Sequence, residues 1–155
     1  MKILIKDTLS KTALNIFLKN NYEVTYNIEE CDIICIRSKT KITKELIDEA
    51  KNLKVIGCFC IGTNNVDLNY CLEKGIPVFN CPGGNTRSVT EYIIGQIINL
   101  SRQLVDFNLN TYKNIWNKYS TNCFEIKNKT LGIIGWGNIG SQVSVIAESL
   151  GMNVL

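Results

Sequence analysis

The chain has 155 residues, 45% of them hydrophobic and 20% charged, with a formal net charge of +3. That balance suits a globular protein with one good core and excludes a disordered chain. The Lys residues lie beside Asp and Glu rather than in a basic stripe, and no apolar run approaches the roughly 18 residues of a membrane span, so neither a nucleic-acid partner nor a membrane is expected.

In chain order, residues 2–6 (KILIK) alternate and read as a first strand. Ser10 precedes a helix carrying Ala13, Leu14, Phe17 and Leu18, which Asn20 and Asn21 end. Residues 22–26 make a second short strand. Residues 32–36 (DIICI) make a third, continuously apolar as in a strand buried on both faces. Thr43 caps a helix with Leu46, Ile47, Ala50 and Leu53 on one face. Residues 54–59 (KVIGCF) form the fourth strand, Asp67 starts a short helix that Gly75 stops, and residues 77–80 form the fifth strand. Strands alternating with helices pair in parallel through right-handed crossovers. The expected class is α/β, a parallel, doubly wound, flavodoxin-like domain.

In such sheets ligands bind at the carboxyl ends of the strands. That rule selects the loops at residues 37–40, 61–64 and 81–85, and a glycine turn further on. Arg37 directly follows a buried strand, where its guanidinium could grip a carboxylate or phosphate bidentately or simply lie in solvent. From Asn85 the pattern changes. Ser88-x-x-Glu91 reads as a capping box, and Val89, Tyr92, Ile93, Ile97, Leu100 and Leu104 recur at helical spacing. This long helix is expected to cross between domains. Residues 108–128 are polar with isolated aromatics; a second helix and a loop fit them, with Trp116 as a packing anchor.

Residues 130–155 carry the most specific signal. Residues 131–134 read as a strand, Gly135-Trp136-Gly137-Asn138-Ile139-Gly140 as GxGxxG, residues 141–150 as a helix that Gly151 stops, and residues 152–155 as a second strand. Here Gly135 makes the tight turn, Gly137 admits a pyrophosphate to the backbone and Gly140 lets the helix pack on the strand. The helix N-terminus offers free N–H groups to the phosphates. A ribose-binding acid is expected about 20 residues on, and Glu148, the nearest, sits in the helix. The chain is thus expected to start a nucleotide-binding domain without finishing it.

Seven cysteines, at positions 31, 35, 58, 60, 71, 81 and 123, include no CxxC pair. They read as free, mostly buried thiols rather than metal ligands or disulfides, and no metal is expected. The chain contains no histidine, so imidazole catalysis cannot occur within it.

Residues 58–68 (CFCIGTNNVDL), 74–80 (KGIPVFN), 85–91 (NTRSVTE) and 130–140 (TLGIIGWGNIG) together resemble the phosphoglycerate branch of the D-isomer-specific 2-hydroxyacid dehydrogenases. The resemblance implies a cytoplasmic enzyme that oxidises 3-phosphoglycerate to 3-phosphohydroxypyruvate with NAD, for serine biosynthesis. It matches Arg37, Ser38 and Asn85 to substrate-binding positions. It matches Asn138 and Ile139 to the pair whose backbone meets the NAD pyrophosphate, beside Gly135, Gly137 and Gly140 of the motif. Its catalytic Arg, Glu and His would lie beyond Leu155, so no catalytic residue is assigned here.

The expected organisation is a substrate domain at residues 1–87, an interdomain helix and connection at 88–128, and an incomplete NAD-binding Rossmann domain at 129–155. The chain is accordingly expected to be an N-terminal part, inactive alone, of a homo-oligomeric enzyme acting on a phosphorylated 2-hydroxy acid. Two alternatives stay open. One is another D-2-hydroxyacid dehydrogenase, such as a glyoxylate/hydroxypyruvate reductase. The other is a truncated, non-catalytic chain, either a remnant or an interaction partner of a full-length subunit.

Overall fold

A computed structural model describes residues 1–116 and 118–155. The chain divides into two units, Met1–Gly84 and Asn85–Leu155.

In the first unit the apolar runs become five strands: β1 (Lys2–Ile5), β2 (Glu23–Thr25), β3 (Ile33–Ile36), β4 (Val55–Cys58) and β5 (Val78–Phe79). Between them lie helices α1 (Lys11–Lys19), α2 (Lys44–Glu49) and α3 (Leu68–Glu73). The order is β2-β1-β3-β4-β5 and every pairing is parallel. This is the flavodoxin-like order expected from the sequence. In-register pairing sets Leu4, Ile34, Ile56 and Val78 in one row across four strands. That row, with Ile36 and Cys58 two residues on, packs against Ile47 and Ala50 at α2 and Cys71 of α3.

Because side chains alternate along a strand, Ile3 and Cys35 face the other way, and they too are buried. On that side Phe17 of α1 meets Phe59 edge-on, with ring centroids 6.1 Å apart. Each fully buried Ile contributes about 1.5–3 kcal/mol through the apolar area it removes from water. Cys31, Cys35, Cys58 and Cys71 fill core space as small apolar groups, and all seven cysteines are free thiols.

The caps set the element ends. Ser10 Oγ accepts from Ala13 N–H at 3.2 Å and Asp67 Oδ1 from Tyr70 N–H at 3.0 Å. Thr43 occupies the N-cap of α2, but its side chain makes no capping bond; it starts the helix by backbone conformation alone. Leu53 lies beyond α2, which ends at Glu49.

The second unit contains α4 (Thr86–Arg102), α5 (Leu104–Tyr112), β6 (Thr130–Leu131), α6 (Asn138–Ser149) and β7 (Asn153–Val154). β6 and β7 pair in parallel. α4 and α6 pack together, and the small buried residues Thr90, Ser144 and Ala147 permit close approach.

Four expectations are corrected here. The capping box does not form: α4 begins at Thr86 with Asn85 as N-cap, which puts Ser88 inside the first turn. Glu91 accepts from Arg87 Nε at 2.6 Å instead. The long helix stops at Arg102 because Gln103 turns left-handed, at φ 50, and Val105 N–H bonds the Asn99 side chain at 3.2 Å, so Leu104 opens α5. Trp116 is 76% exposed and anchors no packing. The strand expected at residues 131–134 is Thr130–Leu131, and Ile134 is fully exposed; past the strand ends the pairing runs on through Leu155 N–H to Leu131 O at 3.0 Å and Ile133 N–H to Leu155 O at 2.8 Å. The expected loop after α5 includes Asn117, which lies outside the described residues.

Candidate functional site

All five strands of the first unit point the same way, so their carboxyl ends gather Asp7 after β1, Arg37 after β3, Phe59 after β4 and Asn80 after β5. Arg37 and Ser38 are exposed, and Lys39 beside them adds a second cation. Among the described residues the Arg37 guanidinium makes no ion pair.

The loop itself is tied down from both sides. Asp7 Oδ2 accepts from Arg37 N–H at 2.5 Å and from Thr40 N–H at 3.4 Å, and Oδ1 accepts from the Thr40 hydroxyl at 3.0 Å. From the other side, Asn65 Nδ2 donates to Arg37 O at 2.9 Å and Thr40 O at 2.6 Å. Asn65 O in turn accepts from Ile42 N–H at 2.8 Å. Burial works to raise the Asp7 carboxyl. The bonds from Arg37 N–H, the Thr40 hydroxyl and Thr40 N–H outweigh it and hold the carboxyl below its usual range.

The next two loops are joined in the same manner. Cys81 N–H bonds Cys60 O at 3.0 Å, and Asn80 Nδ2 donates to Ile61 O at 2.6 Å. Asn85 is exposed, the first residue of the second unit, and makes no side-chain capping bond.

In the second unit the three glycines of the turn separate by cause. Gly135 has φ +104, a conformation that disfavours any side chain. At Gly140 a methyl group would meet the Gly135 carbonyl oxygen and lie 3.2 Å from Ile133 Cγ2. Gly137, the N-cap of α6, has an ordinary φ of −95, and a Cβ there would meet nothing within 4 Å. Neither backbone nor packing requires glycine at 137.

Helix α6 has no acidic residue in its first turn. Its first bond back to the turn is Ser141 N–H to Gly137 O at 3.0 Å, so the N–H groups of Asn138, Ile139 and Gly140 are at the open helix end. Their partial positive charge suits an anion.

The family described as D-isomer specific 2-hydroxyacid dehydrogenase, catalytic domain, matches residues 4–148. This chain belongs to that family. Among the 2-hydroxyacid dehydrogenases it is 47% identical to D-3-phosphoglycerate dehydrogenase 2 of Saccharomyces cerevisiae over 167 aligned positions, covering 100% of this chain and 36% of the yeast protein. The TT0316 protein of Thermus thermophilus superposes with a TM-score of 0.89 at 26% identity, over 99% of this chain and 55% of that one. The D-lactate dehydrogenase of Aquifex aeolicus, solved with NAD and lactic acid, superposes with a TM-score of 0.82 at 25% identity, over 99% and 50%. The chain therefore spans about a third of the curated dehydrogenase it matches. Among the described residues no helix is long and apolar enough to cross a membrane.

Sequence reasoning missed Asp7 and Asn65. Their partners, backbone groups and the Thr40 hydroxyl, belong to a loop about 30 residues distant, at separations of 30 and 28 for Arg37, and no local motif marks such bonds. The one available signal was position, a polar residue just past a strand end.

Proposed function

We propose that this chain supplies the substrate-binding loops and the first cofactor-binding turn of an enzyme that oxidises 3-phosphoglycerate to 3-phosphohydroxypyruvate with NAD. The observation that carries the reading is Gly137, a glycine with an ordinary φ and open space where its Cβ would be, at the N-terminus of α6. Such a position leaves room for a pyrophosphate to approach the backbone. The identity to a yeast D-3-phosphoglycerate dehydrogenase supports the choice of acid.

On this reading Gly135 and Gly140 shape the turn, and the N–H groups of Asn138 and Ile139 hold the NAD pyrophosphate. Arg37 grips an acidic group of the substrate through paired N–H donors. Ser38 supplies a polar contact to the same ligand, and Asn85 is read as a further substrate-binding residue. NAD, when bound, accepts the hydride from the carbon that bears the hydroxyl. The residues present hold and orient substrate and cofactor. These residues contain no histidine, and none of them is assigned the hydroxyl proton.

Residues 1–87 then form the substrate part, 88–128 the connection and 129–155 the start of the NAD-binding domain. The enzyme is read as a cytoplasmic homo-oligomer serving serine biosynthesis.

Calorimetric titration with 3-phosphoglycerate and with unphosphorylated glycerate tests the choice of substrate. The phosphorylated acid should bind more tightly, and Arg37→Ala and Lys39→Ala should each weaken it about tenfold or more. Equal binding of both acids, unchanged in either variant, would point to another 2-hydroxy acid.

A further inference from the structure

We propose that Asp7 is a positioning residue for substrate, one that sets the backbone of the Arg37–Thr40 loop so that the Arg37 side chain is presented to an acidic ligand. The inference rests on the reading above in which Arg37 binds the substrate. It adds a residue that neither the sequence motifs nor the comparisons single out.

The geometry is unusual for a surface carboxylate. Asp7 follows β1 and is only part-exposed, yet it makes no ion pair among the described residues. The positive charge of Lys39, two residues past Arg37, acts on it only weakly. Its oxygens instead collect two backbone N–H groups and a hydroxyl from a single four-residue loop. Charge-assisted bonds of this kind are short and directional, and the bond from Arg37 N–H is the shortest of the three at 2.5 Å.

Asp7 thus binds Arg37 through its main chain while leaving the guanidinium charge unspent. An acid that paired with the guanidinium would compete with the ligand. Asn65 completes the clamp by taking the carbonyl groups of Arg37 and Thr40 from the opposite side. Ser38 and Lys39 lie between the two tied residues, so the whole cationic loop has one backbone conformation to present. A pre-set loop does not have to be ordered when the ligand arrives, which is where the gain in affinity originates.

The test is 3-phosphoglycerate affinity, measured by titration calorimetry of the full chain at low temperature, for Asp7→Ala, Arg37→Ala and Asp48→Ala. Asp48 is a control: it is a bonded carboxylate, held by Tyr70 and Lys74, that touches no part of the loop. Amide hydrogen exchange at Arg37 and Thr40 is followed in the same samples. Asp7→Ala should bind about tenfold more weakly and lose protection at both amides. Asp48→Ala should melt earlier but bind unchanged.

If Arg37→Ala loses affinity while Asp7→Ala keeps it, the positioning role is overturned and the substrate reading stands. If the unsubstituted chain and Arg37→Ala bind alike, or neither binds, the substrate reading itself fails and the role falls with it. Equal weakening by Asp48→Ala would reduce the effect of Asp7 to general stability and overturn the proposal.

Discussion

Gly140 in the first turn of α6 lies directly beneath the carbonyl oxygen of Gly135, so closely that a methyl group at 140 would collide with that oxygen and crowd Ile133 Cγ2 at 3.2 Å. At Gly137, between them, a methyl group would meet nothing within 4 Å. The two positions should therefore respond differently to the same change. Gly140→Ala forces the helix away from the turn and should destabilise the second unit by about 1–3 kcal/mol, as overpacking does. Gly137→Ala should leave the melting temperature within about a degree while lowering NADH affinity, because the added methyl occupies only the space a pyrophosphate would use. Thermal melts and NADH titration of both variants check this. A Gly137→Ala variant that bound NADH normally would remove the main support for the cofactor site.

The thiols should divide by environment. Burial pushes Cys35 and Cys58 up to about 11, with neighbouring thiols adding to it. At pH 8 these two stay protonated and shielded, whereas Cys81 is exposed. Brief treatment of the native chain with iodoacetamide should label Cys81 first and leave Cys35 and Cys58 unlabelled until denaturant is added. Mass spectrometry of the digested protein gives the order. Equal labelling of Cys35 and Cys81 without denaturant would mean that the sheet opens readily.

The parallel sheet was legible because DIICI and KVIGCF are continuous apolar runs, and burial on both faces is the one environment that rewards such runs. The glycine turn was legible for a related reason: the motif assigns a separate demand to each glycine at fixed spacing, and those at two of them are visible in the fold as the positive φ of Gly135 and the crowding at Gly140. The capping box at Ser88 and Glu91 was misread because Asn85, three residues earlier, already supplied the cap position, and Arg87 took the Glu91 carboxylate. Spacing alone cannot rank two nearby helix starts. Likewise the apolar interval that reached Leu104 carried no mark of the left-handed Gln103, since only the Asn99 side chain bonding Val105 N–H discloses the break. Asp7 was illegible because two of its three bonds are to backbone N–H groups, and every sequence offers backbone everywhere.

Two isoleucines offer a calibration of the fold. Ile34 is 0% exposed in the middle of the core row with Leu4 and Ile56, whereas Ile134 is fully exposed although the sequence places it in an apolar strand. Ile34→Ala should cost about 3–4 kcal/mol, the loss of buried methyl groups together with the cavity left behind. Ile134→Ala should change stability by less than about 0.5 kcal/mol. Denaturant melts of both variants measure the difference. A large loss at Ile134 would show that this residue is covered in solution, by a partner or by further chain.

Acid should unfold the first unit through its bonded carboxylates. Asp32 is held below its usual value of 3.8 by Lys54 Nζ, at 2.6 Å, and then by Lys2 N–H, at 2.7 Å. Asp48 is lowered in turn by Lys74 and Tyr70, and Asp7 by the Arg37–Thr40 loop, whose hydrogen bonds together outweigh the opposing effect of burial. A carboxyl with a folded pKa below its unfolded one binds its proton more weakly when folded, so the unfolded chain takes up protons first as pH falls. The stabilisation is fully present above about pH 4 and is lost as pH drops through the depressed folded values. Melting temperature should therefore be level from about pH 7 to 5 and fall steeply below about pH 4. Asp32→Asn should lower the plateau and flatten the fall, because the group that titrates differently is gone. A variant whose acid limb kept the same slope as the unsubstituted chain would show that Asp32 contributes nothing to the transition, and would shift the acid sensitivity to the other lowered carboxyls, Asp7, Asp48, Glu30 and Glu45.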